Sequence, residues 1–296
     1  MLGPGDTTAG RRAPTRADFL RRRAVALGVA AGVLLVVIAA ARGLPSAAAQ
    51  RSAVAHFYRL GLPLYCAGGG GNYAALTFDD GPSPFSEQVL GLLQRAGVQS
   101  THFVIGNLVS AGLQSVHDEG RQGEVQDHTW SHPFLTHLDN HEVNFELGQT
   151  QQTLERTLGR SITLMRPPYG AFDDRVGKVA HRLGLVPVLW DVDTRDSLGA
   201  DTPQIVTNAE QGLRPGAIVL MHETYTRSLA AVPEVLASAR KKGLRLVTVS
   251  QLLALDPPPD SLVRAGPDAC SDRQRYQQQE DATSMRLARD GGQSPA

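Results

Sequence analysis

Tyr73-Ala74-Ala75-Leu76, followed at once by Thr77-Phe78-Asp79-Asp80-Gly81, is the stretch whose reading decides the fold. An apolar run ends in a short polar cluster, and the chain repeats this device. The other clusters are His128-Thr129-Trp130-Ser131-His132, Arg166-Pro167-Pro168-Tyr169-Gly170, Asp193-Thr194-Arg195-Asp196 and Leu220-Met221-His222. Leu164-Met165, Val186–Trp190 and Ala217–Val219 precede three of them, and the weaker run Gly123–Asp127 precedes the histidine pair. Continuous apolar runs of this length read as strands of a parallel sheet buried on both faces. Stretches with helical spacing lie between them. A chain that repeats strand, cluster, helix brings its clusters to one rim of an α/β barrel, where such folds carry their chemistry.

The expected order is regular. Strands are read at 73–79, 101–105, 123–128, 162–166, 186–192, 216–222 and 244–249, with helices at 84–96, 107–119, 140–158, 173–183, 202–212, 228–241 and 250–255. Gly159, Gly184 and Gly243 stop three of the helices. Seven strand-helix units in about 185 residues are too few for the eight-stranded barrel, so a distorted (β/α)7 barrel is expected. Element order alone leaves a doubly wound sheet open. The single compact domain is placed at 72–256, after a linker at 42–71 that closes with Gly68–Gly71. Pro257-Pro258-Pro259 halts any helix, and 257–296, poor in apolar residues, is read as a disordered tail.

Each cluster has a bland reading beside the functional one. Asp79 and Asp80 are neighbours, and neighbours on a strand face opposite ways. They reach one point only if the strand ends there, as Gly81-Pro82 suggests; a solvated Asp-Gly-Pro turn is the plain alternative. His128 and His132 have metal-ligand spacing, and Pro133 favours a turn over a helix. With Asp80 they make a two-histidine, one-carboxylate set that fits catalytic zinc and equally iron, cobalt or nickel. Arg166, at a strand end before a proline-stiffened loop, suits a bidentate grip on a carboxylate; otherwise it is a surface ion pair. His222 ends an apolar strand, where Asp196 would orient its ring and raise its pKa.

The five motifs in this order resemble the polysaccharide deacetylase (NodB homology) family across nearly all of 73–255. That family has a distorted (β/α)7 barrel. The resemblance implies that Asp80, His128 and His132 bind a divalent metal, usually zinc, and that Asp79 is the general base, positioned by Arg166. It makes His222 the general acid tuned by Asp196, and gives the Tyr169 backbone a share in holding an oxyanion. Three residues depart from the family's usual pattern: Ser197 for a common tryptophan, Asp127 for a frequent asparagine, and His102 within a frequent aromatic pair. These departures bear on substrate shape more than on the reacting groups.

The implied activity is removal of N-acetyl groups from amino sugars of a glycan such as peptidoglycan or chitin oligomers. An O-acetyl esterase using the same site, acting for example on xylan, is the first alternative. A metal-containing glycan-binding protein without turnover is the second, though it would need neither Asp79 nor His222.

Lys and Arg balance Asp and Glu at 29 each, so global charge gives no reason to expect a nucleic-acid partner. Basic bias is confined to 1–23, which carries Arg11, Arg12, Arg16 and Arg21–Arg23. The uncharged run Ala24–Ala41 follows. It reads either as a signal-peptide core, with a small-residue site near Ala49, or as a transmembrane anchor close to the required ~20 residues. Both readings keep the arginines inside and export the domain, so an extracytoplasmic, monomeric protein is expected. Cys66 and Cys270 flank the domain, and in an oxidising compartment they would form one bridge.

Overall fold

Eight parallel strands in one sheet surround the point where the clusters meet, in a computed structural model that describes residues 43–270. The basic segment 1–23, the apolar run 24–41 and the tail beyond 270 lie outside the described residues. Among the described residues no helix is long and apolar enough to cross a membrane.

The strands are β1 (Tyr73–Gly81), β2 (Thr101–Val104), β3 (Glu124–Asp127), β4 (Leu164–Met165), β5 (Val186–Pro187), β6 (Val192–Asp193), β7 (Ile218–His222) and β8 (Arg245–Val247). The order across the sheet is β5-β4-β3-β2-β1-β7-β6, with β8 paired to the start of β1. The edge strands β5 and β6 are successive pieces of one segment, five residues apart at most, so the sheet must curl back on itself. The run expected as a single strand at 186–192 is therefore two short strands, the first joined to β4 and the second to β7. Leu64 fills the seam between them: its N–H donates to Pro187 O at 2.9 Å, and its carbonyl accepts from Leu189 N–H at 2.7 Å. Seven apolar runs thus give eight strands and an irregular barrel, in line with the expected (β/α)7 class.

The outer layer consists of α1 (Ala47–Leu60), α2 (Ser86–Ala96), α3 (Leu113–Gln122), α4 (Asn140–Leu158), α5 (Asp174–Arg182), α6 (Thr202–Gly212), α7 (Thr226–Lys241), α8 (Val249–Leu255) and α9 (Asp260–Ala265). Local chemistry sets their ends. Asp139 accepts from the backbone of His141 and Glu142, and Glu142 returns a bond to Asp139 N–H, a capping box that starts α4. Gly159 ends the same helix in the left-handed conformation at φ 65°.

Two boundary readings need correction. The linker assigned to 42–71 contains α1, capped by Ser46, and its Val54 and Phe57 are buried with Leu64 and Ala67 in one apolar cluster beside α8. Most of its apolar positions are alanines, so its apolar stripe does not stand out. Gly68–Gly71 is no free tether either. Gly69 and Gly70 donate their N–H groups to the Asp256 carboxylate at 2.8 and 3.1 Å, and Gly68 N–H donates to Asp256 O. The tail reading fails for 257–270, where α9 buries Val263 and Asp260 meets His56 of α1 at 2.8 Å.

Cys66 and Cys270 are bonded, with Cα atoms 5.9 Å apart and a sequence separation of 204. Arg214 reinforces the junction through bonds to Cys270 O and the buried Asp191 carboxylate. Closing so long a loop in the unfolded chain is worth at most about 5 kcal/mol in the chain-entropy model. Reduction is expected to lower the melting temperature by roughly 10 °C. Activity at moderate temperature should hold, since neither cysteine is in a polar cluster at the rim. Unchanged melting of the reduced protein in calorimetry would show that the bridge does not constrain the fold.

Candidate active site

The five clusters converge at the C-terminal ends of the strands, as barrel topology requires. On β1, Thr77 and Asp79 share the inward face by strand alternation. Asp80 should point away, but the β1–β2 register shifts between Asp79 and Gly81, and Asp80 has φ 69°. A bulge, rather than the end of the strand, lets both carboxylates face one centre. Aspartate tolerates this left-handed conformation better than most residues.

Arg166 is wholly buried and spends its guanidinium on four acceptors. Nη1 donates to Thr77 Oγ1 at 2.7 Å and Asp79 Oδ1 at 2.8 Å, while Nε and Nη2 donate to Val188 O and Leu189 O at 3.1 Å each. Its plane lies 4.2 Å from the Phe103 ring centre. The grip on Asp79 is therefore single, not bidentate, and the remaining donors stitch the β5–β6 seam. Burial lowers the pKa of Arg166, and Asp79 pulls it back up.

His128 and His132 sit on a turn built by Thr129 (φ 68°) and His132 (φ 60°), as Pro133 suggested. Asp127 Oδ1 accepts from Thr129 N–H at 2.7 Å, and Thr129 Oγ1 accepts from His132 N–H at 3.1 Å. Glu146 of α4 anchors the same turn by accepting from Ser131 N–H and Oγ–H. Asp127 is fully buried, and that burial pushes its carboxyl well above the usual range, with Glu146 adding to the rise.

His128 Nδ1–H donates to Arg166 O at 2.8 Å, which leaves the Nε2 lone pair facing the site. That nitrogen lies 3.4 Å from Asp80 Oδ1, and His132 Nε2 lies 3.1 Å from the same oxygen. The remaining His132 nitrogen is 3.1 Å from the Tyr169 hydroxyl. Asp80 Oδ1 is buried without a hydrogen bond. Three acceptors aimed at one another, one of them orphaned, repel unless a cation sits among them, so the set fits a metal ion. Burial opposes the charge on Asp80, yet the two imidazoles beside it hold its carboxyl well below the usual range.

Across the β1–β7 ladder, Asp79 is in register with His222. Asp196 is wholly buried. Its Oδ1 lies 2.8 Å from His222 Nδ1, and its Oδ2 accepts from His222 N–H at 2.7 Å and Ser228 Oγ–H at 2.6 Å. This fixes the ring with Nδ1–H toward Asp196 and Nε2 toward the site. Burial works against the imidazolium, but Asp196, Asp80 and Asp79 together push its pKa up to about 9. Burial would raise the Asp196 carboxyl, and its bonds to His222 and Ser228 lower it instead.

Tyr169 has φ 60°, and its ring stacks on Phe134 at 3.9 Å, 45% exposed. Ser197 is exposed, so no side chain at that position walls the His222 side. All eight expected residues therefore meet at the rim. Sequence reasoning missed Thr77, Ser228 and Phe134, which touch Arg166, Asp196 and Tyr169, and Glu146, which holds Ser131 of the histidine turn. Thr77 alone had a signal, two residues before Asp79 on one strand face.

A parallel barrel whose rim carries a metal-type acceptor set, a buried carboxylate held by arginine and an imidazole held by aspartate defines a class of metal-site barrel proteins. Residues 68–188 match the family model described as polysaccharide deacetylase. The chain is 32% identical over 186 residues to a peptidoglycan N-acetylglucosamine deacetylase of Bacillus cereus, covering 60% of this chain and 87% of the relative. It therefore belongs to the polysaccharide deacetylase family. It is also 36% identical to chitin deacetylase 1 of Cryptococcus neoformans, over 56% of this chain and 41% of that one. Among solved structures, a family 4 carbohydrate esterase from Streptomyces lividans in complex with acetate superposes with a TM-score of 0.60 at 32% identity, covering 64% of this chain and 99% of that one. The chain spans less than half the length of the first curated relatives it matches.

Proposed function

We propose that this protein is an exported, metal-dependent hydrolase that removes N-acetyl groups from amino sugars of a glycan. The observation that carries this reading is a division of labour at one rim. Asp79 is held by Arg166, His222 is held by Asp196, and the Asp80, His128 and His132 acceptors lie beside them. Those three residues would hold a divalent ion, zinc first by donor type, with cobalt or nickel also fitting. Bound there, the ion supplies Lewis-acid polarisation of an acyl oxygen and lowers the pKa of water.

Asp79, held by Arg166, takes a proton from the attacking water. The Tyr169 N–H helps hold the oxyanion of the tetrahedral intermediate. His222, protonated at Nε2, gives its proton to the departing nitrogen, without which an amine is a poor leaving group. Asp196 keeps that proton available through neutral pH. Export is supported by the basic 1–23 segment before the apolar 24–41 run, read as anchor or signal core, and by the Cys66–Cys270 bridge.

Acetate release from N-acetylglucosamine oligomers across pH tests the reading. A group whose pKa rises from 6.5 to about 9 on folding stays protonated through neutral pH and loses its proton above that value. The kcat/KM profile is therefore expected to fall as pH rises through about 9, and Asp196→Asn should move that limb to lower pH. By linkage, the pair's contribution to stability is present below pH 6.5 and lost as pH rises toward 9. Hydrolysis of acetyl esters with none of N-acetylated oligomers would favour the O-acetyl esterase alternative. Glycan binding without acetate from any substrate would favour a binding protein.

A further inference from the structure

On the opposite face of the sheet from the rim site lies a second convergence of acceptors. Strand alternation turns His102 of β2 outward, where it stacks on Phe78 at 5.4 Å, while its neighbour Phe103 lies beside Arg166. His102 there meets Glu119 of α3 and Glu223, the residue after His222. The three side chains are 1%, 0% and 0% exposed. His102 Nδ1 lies 3.3 Å from Glu223 Oε2 and 3.9 Å from Glu119 Oε1, and one ligand atom from each residue lies within 4.8 Å of the others.

Both oxygens of Glu119 are buried, and no N–H or O–H donor is directed at either. The nearby Ser86 hydroxyl directs its single proton to Glu223 Oε1 at 2.7 Å. Two carboxylates and an imidazole inside a protein require either shared protons or a cation. Glu119 also lies within reach of Glu223 and Ser86, so a proton shared between the two carboxyls is the competing occupant of this space. The 3.3 and 3.9 Å separations bracket the spacing between two ligands of one small dication at ~2.0–2.2 Å each. His102 Nε2 is 2.8 Å from Ser100 Oγ, the outer bond that a metal-ligating imidazole commonly makes. A dication, two carboxylates and a neutral imidazole leave no net charge in the core.

We infer that His102, Glu119 and Glu223 form a second, structural binding site for a small divalent cation of the zinc or manganese type. It clamps α3 to β2 and to the end of β7. Glu223 adjoins His222 in the chain, and its Oε1 presses on Gly81, where an added Cβ would stand 1.8 Å away. Gly81 in turn follows Asp80. The site thus braces from behind the two strand ends that carry rim residues.

The test is the zinc content of full-length protein produced with zinc and dialysed exhaustively. About two equivalents per chain are expected for the wild type, about one for the His128→Ala, His132→Ala double variant, and about one for Glu119→Gln. Metal surviving in the first variant but lost in Glu119→Gln would support this site even if the rim reading failed. A wild type holding at most one equivalent, all of it lost in the double variant, would overturn it in favour of shared protons. Should Glu119→Gln not fold, anomalous diffraction at the zinc edge from wild-type crystals decides the matter. A peak between His102 and Glu223 supports the site, and its absence refutes it.

Discussion

Asp79→Asn is expected to slow acetate release by on the order of 10²–10⁴ while leaving the rim metal and the fold in place. The substitution keeps an oxygen where Arg166 Nη1 now finds Oδ1 at 2.8 Å, so the buried guanidinium retains an acceptor. It removes the negative charge that takes a proton from water. The variant therefore separates proton transfer from packing. Asp79→Ala should behave differently, because it strands a fully buried cation. Breaking one side of a buried pair costs about 3–5 kcal/mol, so that variant should melt markedly lower. Asp79→Asn retaining activity within about tenfold of wild type, measured as initial acetate release, would remove Asp79 from the role of base.

The second large effect belongs to the histidines. His128→Ala with His132→Ala is expected to lose one equivalent of metal and all measurable turnover, with unchanged far-ultraviolet circular dichroism. Each substitution deletes an Nε2 lone pair aimed at Asp80 Oδ1, and the acceptors that remain are too few for an ion. Losing the His128 Nδ1–Arg166 O bond adds a stability cost of about 1 kcal/mol, too little to unfold the barrel. The two variants are complementary, since one should keep the rim metal without turnover and the other should lose both the rim metal and turnover. Elemental analysis that finds the double variant as fully loaded as wild type would refute the ligand assignment.

The rim was legible because each of its residues stands at the end of an apolar run. Strand boundaries are written in hydrophobicity, and barrel topology sends every strand end to the same side. Less legible were contacts that depend on how distant segments lie against one another. A single apolar run at 186–192 could not reveal that its halves pair with different neighbours, because pairing partners are not encoded in periodicity. Helix α1 was hidden for a related reason, as it buries only Val54 and Phe57 and its remaining surface reads as linker.

By itself the sequence determined the strand-helix alternation, the sharing of one rim by Asp79, Asp80, His128, His132, Arg166, Tyr169, Asp196 and His222, and the two cysteines that flank the domain. These follow from local pattern and chain order. Tertiary structure alone decided which nitrogen of His128 faces Asp80, since the tautomer is set by Arg166 O across 38 residues. It alone turned Asp80 inward through a bulge, and made Arg166 a buried seam rather than a surface charge. It also drew His102, Glu119 and Glu223 together on the far face of the sheet. Orientation, burial and the meeting of side chains from separate elements are properties of packing, and no linear pattern carries them.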